Sequence, residues 1–571
     1  MAKRTAAQTA EIIRATPRIS VESLDVLYQI RGQLIEEREQ IIPTWKEIAQ
    51  HCNPLLADWN FESEIQTTLP DMKVVYDNTA MKASGRLADG IQGYSFSRSS
   101  AWNRLATEDE SLMDRTDVSS YLQRSEIGLY NQWAKSSFYD EGRSFIRIGA
   151  DFGTAIMFRT NNVVRGIPQY QVLHLKRCCI MEDENGEVDT LFRDLWLTPF
   201  DAVAMFGYEA LPVIIQDAYR NNDTTRKMFT QFIFPLDKFD LDIDARSTKG
   251  MPFYSVYVAD CDHRKAIREG GYEVKPFFVW RWSRNPDGSV WGIDCPGMLE
   301  ISNVMMLSGM RKDYHRMIQL RARPPLKATE QLQGRLNLTP SGVTWMRAGE
   351  DYGAGMLIGD TKGILEDMSL LQKGVNESYH TELFLVLTQN IQRTKTATEV
   401  EGLRGEQAAM LTAFFGRLGA EFLEPVTEDL FQLEIDAGRA PPAPRVLGGQ
   451  RIKIDLVSPL AQLQKRYLLL DNTRQALNEI FTLAQIDKTA LDPVNLEAYV
   501  RSIGKYYNID RNVLRDVYEV QKIRAARQKQ QEAMLKAQMQ MKAAELQSKV
   551  YGATSKAPEA GSPAESMAEA V

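Results

Sequence analysis

Gln392-Arg393-Thr394-Lys395-Thr396-Ala397-Thr398-Glu399-Val400 decides how this chain is read. Thr396 and Glu399 have the spacing of a capping box, in which two side chains satisfy backbone N–H groups at a helix start. Behind them Val400, Leu403, Leu411, Phe415, Leu418, Phe422, Val426, Leu430 and Leu433 recur at helical steps, which puts one apolar stripe on a helix. The helix so predicted runs for about 40 residues, with Pro425 as its expected kink. Ordinary helices stop after about three turns, so one this long needs a large assembly beside it. On the near side a second helical pattern runs from about Leu365 to Ile391. Gln392, Arg393, Thr394 and Lys395 therefore fall in a short polar loop between two long helices. Cations there can touch phosphates without reading bases, or can simply be solvated at a helix junction.

Further upstream the pattern is helix, knob, helix. From Met298 to Arg321 only Gly309 weakens a helical stripe of Leu299, Val304, Leu307, Met310, Met317 and Leu320, and Pro324-Pro325 ends it. At about 1.5 Å per residue it spans roughly 36 Å. Residues 326–365 are dotted with glycine and read as a small β-containing insertion. Arg311, Lys312, Arg316, Arg321 and Arg323 punctuate the first helix of this hairpin, as a solvated face or a partner contact.

The N-terminal half mixes both periods. Leu24, Leu27, Leu34, Ile41, Trp45 and Ile48 repeat helically from Ser20. A helix is predicted from Asn78 and Thr79 to about Gly93, and more helix over 117–150. Strands are predicted around Thr154–Arg159, Gln169–Leu175, Thr190–Leu197, Thr230–Phe234, Pro252–Val258 and Val274–Trp282, where β-branched and aromatic residues alternate with turn formers. Phe200–Phe206 reads as an inserted short helix, and residues up to about 290 form an α+β body. Beyond the long helix, Pro441-Pro442-Ala443-Pro444 leads to a strand-like Arg451–Val457, and 459–520 return to helices. Val513 to about Tyr551 is a Gln-, Ala-, Met- and Lys-rich helix; its stretch 521–551 holds seven Lys or Arg and two Glu. Thr554–Val571 is small, Pro-containing and acidic, and is expected to be disordered.

The 571 residues, 44% hydrophobic and 25% charged, exclude wholesale disorder and suggest roughly three to five domains. Lys plus Arg number 68 against 75 Asp plus Glu, a net charge of −7. Tight coating of nucleic acid needs a cation surplus, so that class is excluded while transient handling of DNA is not. The five cysteines, Cys52, Cys178, Cys179, Cys261 and Cys295, are odd in number and sparse, which suits thiols in a reducing compartment. Met1–Gln8 has no signal-peptide core, and no apolar run nears the roughly 18–20 residues of a membrane span. A soluble, intracellular product with no membrane partner is expected.

No catalytic chemistry is expected either. The chain lacks G-x-x-x-x-G-K-[ST] and G-x-G-x-x-G, and Gly93-Tyr94-Ser95-Phe96-Ser97 fails the nucleophile elbow at its last position. Cys261-Asp262-His263, His51-Cys52 and Glu377-Ser378-Tyr379-His380 carry potential metal ligands. None has an organising second half, so buried thiols and polar faces are the expected reading, with no metal and no cofactor.

The order of parts resembles the portal, or head-to-tail connector, proteins of short-tailed bacteriophages. Arg393-Thr394 followed by Thr396-Ala397-Thr398-Glu399-Val400 is similar to that family's R-x-T-A-x-E-V passage. Trp45-Lys46-Glu47-Ile48-Ala49, Asp77-Asn78-Thr79-Ala80 with Gly85, Leu87, Ala88 and Gly90, and Trp102 after Ser99-Ser100-Ala101 resemble its N-terminal segments. Trp291-Gly292-Ile293-Asp294-Cys295-Pro296 resembles its Y-G-x-S-P lead, with a departure at Asp294-Cys295.

The resemblance implies an α+β portal-type fold. Its parts would be a wing (1–293 and 399–457), stem helices (294–321 and 368–391), a clip (322–367), a tunnel loop (392–398), a helical crown and tail (458–551) and a disordered end (552–571). It implies a ring, usually of twelve copies, at one capsid vertex, which nucleates capsid assembly and forms the channel for packaging and ejecting double-stranded DNA. Gln392, Arg393, Thr394 and Lys395 would contact that DNA without sequence preference. Arg321, Arg323, Lys327 and Arg335 at the stem tip and clip would dock partners. The partners implied are the major capsid and scaffolding proteins, the terminase large subunit, tail adaptor and nozzle proteins, and core or ejection proteins at the crown. The missing phosphate loop argues against the packaging enzyme itself. A non-enzymatic internal virion or scaffold protein is the alternative, and it has no need of a stem–clip hairpin.

Overall fold

Ser20 opens the first helix because its Oγ accepts the Ser23 N–H at 3.1 Å, satisfying a backbone donor that has no partner inside the helix. A computed structural model describes residues 12–14, 19–56, 59, 75–113, 115–162, 166–239, 241, 251–322, 326–328, 352–354, 362–381, 412–448, 452–457, 476–480, 482, 500 and 517–554. The helical pattern from Ser20 resolves into two helices, α1 (Val21–Glu39) and α2 (Ile42–His51). Pro43 sits in the first turn of α2, where a missing N–H costs nothing. Helix α3 (Thr79–Ser95) is capped one residue earlier than Asn78 suggests, since Asp77 Oδ1 accepts the Thr79 N–H at 2.8 Å. Two further helices cover the 117–150 region, α5 (Thr116–Lys135) and α6 (Phe138–Phe152), after the short α4 (Glu110–Met113).

Among the described residues there are thirteen strands, in chain order: β1 (Ile12–Arg14), β2 (Asn103–Thr107), β3 (Thr154–Asn162), β4 (Ile167–Leu173), β5 (Cys178–Glu182), β6 (Val188–Leu197), β7 (Lys227–Pro235), β8 (Phe253–Ala259), β9 (Asp262–Tyr272), β10 (Phe277–Arg281), β11 (Leu326–Ala328), β12 (Tyr352–Ala354) and β13 (Ile452–Leu456). They form a six-stranded antiparallel sheet in the order β1-β9-β8-β7-β6-β5, a three-stranded sheet β10-β3-β4, and the pairs β11·β12 and β13·β2. The polar β9 escapes a propensity reading because pairing on both sides creates it: Tyr257 faces Arg268, and Arg14 faces Glu269. Helix α1 lays Leu24, Leu27 and Leu34 on Phe232, Phe234, Tyr254, Val256 and Val258 of the large sheet. Helices α7 (Pro199–Phe206) and α8 (Val213–Arg220) cover Phe229, Ala259 and Ile267 in a separate cluster.

The main core joins distant parts of the chain. Trp45, Trp102, Trp133, Trp280 and Trp291 are all fully buried in it, together with Phe145, Phe422 and Val426. Each aromatic ring removes roughly 150–250 Å² from water, so these side chains dominate cohesion. Three tryptophans that carried the family resemblance serve this core. Trp45 donates its indole N–H to Phe152 O at 3.0 Å and meets Trp291 edge-on at 5.1 Å. Trp102 lies 4.7 Å from the Trp133 ring. Strand β13 closes the body on β2, with Ile452 opposite Thr107, and beside this pair Asn103 Nδ2 donates to Thr427 Oγ1 at 2.8 Å.

Candidate functional site

The predicted hairpin is present at its root. Helix α9 (Pro296–Ala322) runs out from the body, and α10 (Lys362–Ser378) packs against it on return. Between their far ends β11 and β12 pair antiparallel, Lys327 opposite Gly353. Ile301, Val304 and Leu307 bury one face of α9, while Leu299, expected in that stripe, is 61% exposed. The start of α9 is seated on α6. Cys295 Sγ donates to Asp151 O at 3.3 Å, and a Cβ on Gly297 would collide with that same carbonyl, so only glycine allows the approach. Gly153, which ends α6 at φ +80°, passes equally close to Gly292.

Asp151 is the node of this root. Its carboxylate is fully buried; Oδ2 accepts from Asn53 Nδ2 at 3.1 Å, Oδ1 accepts from the Tyr379 hydroxyl at 3.3 Å, and Arg147 Nε stands 3.8 Å away. Burial raises its pKa to about 6, with Arg147 and the hydrogen bonds opposing. Burial also pushes the neighbouring Cys52 thiol up to about 12. Tyr379 is the first residue after α10, and His380 follows at φ +50°. Further along the hairpin Ser378 Oγ donates to Glu300 at 2.6 Å, and Gln372 Nε2 donates to Asp77 Oδ2 at 3.1 Å. Asp151 thus ties four elements together, its carboxylate reaching the ends of α2 and α10 from α6 and its backbone carbonyl meeting the start of α9.

The far side of the loop has its own anchor. The long helix, described from Thr412, is α-helical over Thr412–Leu418, π-helical over Gly419–Leu423 and α-helical again over Glu424–Asp436. Pro425 has no N–H to give the preceding turn, so the wider turn falls just before it rather than a simple kink. The π segment aims two side chains into the body. Phe422 stacks on Phe145 at 4.3 Å, and Glu421 accepts the Arg281 N–H at 2.8 Å and its Nη2 at 2.9 Å. Arg281 also pairs with Glu182, and Arg159 Nη2 meets Asp429 Oδ1 at 2.9 Å in full burial. Both flanks of the predicted DNA-contacting loop are therefore clamped to one core.

Residues 25–547 match the family described as bacteriophage head to tail connecting protein. The chain belongs to this family. It is 26% identical over 517 residues to the portal protein of Salmonella phage epsilon15, covering 88% of this chain and 90% of that protein. It is 25% identical over 509 residues to the probable portal protein of Bordetella phage BPP-1, with the same coverage. A chain in the neck of an empty gene transfer agent particle aligns over 72% of this chain and 90% of its own, at 10% identity and a TM-score of 0.34, too remote to place any residue.

In this connecting protein the sequence-predicted site residues are unevenly placed. Arg321 is exposed at the far end of α9, and Lys327 lies in β11. Arg323, Arg335, Gln392, Arg393, Thr394 and Lys395 lie outside the described residues, as do residues 399–411, where the long helix is predicted to begin, most of the 459–520 region and residues 555–571. The Glu377–His380 spacing does not make a ligand pair on one helix face, because α10 ends at Ser378. Among the described residues no three His, Cys, Asp or Glu side chains cluster for a metal. Among them, too, no helix is long and apolar enough to cross a membrane. Cys52, Cys178, Cys179 and Cys295 are buried thiols and Cys261 is exposed.

The anchors themselves escaped sequence reasoning. Asp151 left one signal, a lone acid in the apolar run Phe145-Ile146-Arg147-Ile148-Gly149-Ala150-Asp151-Phe152. Tyr379 and Glu421 left none that their spacing would reveal.

Proposed function

We propose that this connecting protein is the subunit of a dodecameric portal ring at one capsid vertex, forming the channel through which viral DNA is packaged and ejected. The observation that carries the reading is a helical hairpin, α9–α10, tipped by the β11·β12 pair and rooted in the same core that clamps the long helix after the loop. Such a layout lets a ring hold a channel loop from both sides while the hairpin tip stays free for other proteins. In this reading 1–293 and 399–457 are the wing, 294–321 and 368–391 the stem, 322–367 the clip, 392–398 the tunnel loop and 458–551 the crown. The clip, with Arg321, Arg323, Lys327 and Arg335, docks the terminase large subunit and then the tail adaptor. Capsid and scaffolding proteins meet the ring during assembly, and ejection proteins meet the crown.

The charge balance supports a conduit. Each phosphate neutralised adds salt-dependent affinity and hence drag; a chain of net charge −7 with a few loop cations avoids it. Electron micrographs of the purified protein test the proposal: rings with a central hole are expected, and monomers or open filaments overturn it.

A further inference from the structure

The long helix carries one residue more than an α-helix needs. At its π turn, Gly419–Leu423, the Glu424 N–H donates to Gly419 O, five residues back, where an α-helix closes its turns over four. The inner end of this turn and the helix beyond it are fixed to the body. Phe422 lies 4.3 Å from the Phe145 ring and 5.8 Å from that of Phe96, Asn103 donates to Thr427 Oγ1, and Arg159 holds Asp429. The arm before it, Thr412–Leu418, is seated by Leu418, which is fully buried, and by half-buried Phe415 on the same core. Between them Arg417 Nη1 is buried with no hydrogen-bond partner among the described residues, a cost that native structures rarely leave standing.

Each of these two apolar side chains is followed at once by a glycine, Gly416 after Phe415 and Gly419 after Leu418. If the π turn closes as an α turn while the far arm stays fixed, Thr412–Leu418 moves by one residue, about 1.5 Å outward along the axis and about 100° around it. Gly416 and Gly419 then come to the places of Phe415 and Leu418 with no side chain to clash. Leu418 comes to the place of Arg417, and Arg417 to that of Gly416, which is exposed and open. The shifted register regains α-helical hydrogen bonds and releases Arg417; the present one keeps two apolar side chains in the core. Opposed terms of this kind give a packed element two discrete positions.

We propose that Gly419–Leu423 is a one-residue register switch, which lets a pull on the chain before Thr412 advance this arm without unfolding the body. The shift lengthens the helix toward that chain, so tension favours it, and reburial of Phe415 and Leu418 resets it. The inference goes beyond the ring reading and does not depend on it, since the switch lies within one chain.

The test is a permuted variant of the full-length protein, Phe415→Gly, Gly416→Phe, Leu418→Gly and Gly419→Leu, which writes the apolar pair one residue later. In the present register Gly419→Leu drives a side chain into Leu456, whose Cδ1 lies 2.7 Å from the place of a Cβ. In the shifted register the permuted pair fills the places that Phe415 and Leu418 fill now. Amide hydrogen exchange of β10, against which the arm and the π turn lie, is the readout. Protection in the permuted variant is expected within about threefold of wild type, whereas Phe415→Gly with Leu418→Gly, with nothing to slide in, should lower it about thirtyfold or more. Deleting Ala420, the exposed residue of the π turn, removes the residue the switch needs. That deletion alone should leave protection at or above wild type, and adding the permutation to it should lower protection about thirtyfold or more. A permuted variant as unprotected as the double-glycine one overturns the inference, and so does a permutation tolerated equally with and without Ala420. If circular dichroism shows the deletion variant misfolded, the comparison of the permuted and double-glycine variants decides alone.

Discussion

Replacing Asp151 with Asn should remove a pH dependence built into the root of the hairpin. In the folded chain the carboxyl titrates at about 6, raised from 3.8 by burial. The folded state therefore holds its proton more tightly than the unfolded state does. Stability from this group is complete below the unfolded value and is lost as pH rises through about 6. At about 1.4 kcal/mol per unit, the loss approaches 3 kcal/mol above pH 7, most of it accruing between pH 4 and 7. Asn keeps an acceptor for Asn53 or Tyr379 but cannot ionise, so the variant should gain on wild type by about that amount across the window. The histidines near the root, His51 and His380, have pKa values lowered by burial and titrate in the opposite sense; the difference between variant and wild type cancels them. Opening free energies from amide hydrogen exchange, read at the end of α6 and the Tyr379 turn over a pH series, provide the assay. A difference that stays constant with pH refutes the reasoning.

Other expectations are more direct. Phe422→Ala empties the centre of an aromatic cluster and should cost about 3–5 kcal/mol, seen as faster exchange in β10 and in Glu424–Asp436; protection equal to wild type would contradict the clamp. Gly297→Ala drives a methyl into the Asp151 carbonyl and should cost about 1–3 kcal/mol, lowering the melting temperature with α6 and α9 affected together. Arg393→Ala with Lys395→Ala should leave rings intact while reducing the DNA packaged or retained per head; full heads from well-formed double-mutant rings would remove the loop from the channel. Truncation after Tyr551 should leave ring closure unchanged, and loss of rings would show that the acidic end is structural.

What the sequence revealed was periodicity. The helices α1, α3, α5, α6 and α9 follow from apolar spacing, and the central strands from aromatic and β-branched runs, because in each case local pattern and tertiary burial agree. Strands β2, β5 and β9 did not follow: β2 is paired by β13 from far along the chain, the polar β9 is held between β8 and the distant β1, and β5 is a short edge strand fixed by its neighbour β6; local composition is silent about partners. Ser20 marked its helix start, while Asp77 displaced Asn78 as a cap by side-chain reach alone. The motif residues Trp45, Trp102 and Trp291 pointed to the family, yet their role is packing; a signature shared for packing identifies a fold without locating a contact. Asp151 and Glu421 stayed hidden because a buried acid looks like a surface acid until its neighbours are known.

The junction between Asn103 and Thr427 spans 324 residues of sequence. At translation rates of roughly 5–20 residues per second, its two halves emerge about 15 to 65 s apart. During that interval the pocket that will receive Phe422 and Val426 stands open, lined by Trp102, Phe96, Phe138 and Phe145. A nascent chain of this design must wait with sticky surface exposed before the body can close. Newly made chains should therefore need a holding chaperone, and assembly of the proposed ring would wait until each chain is nearly complete.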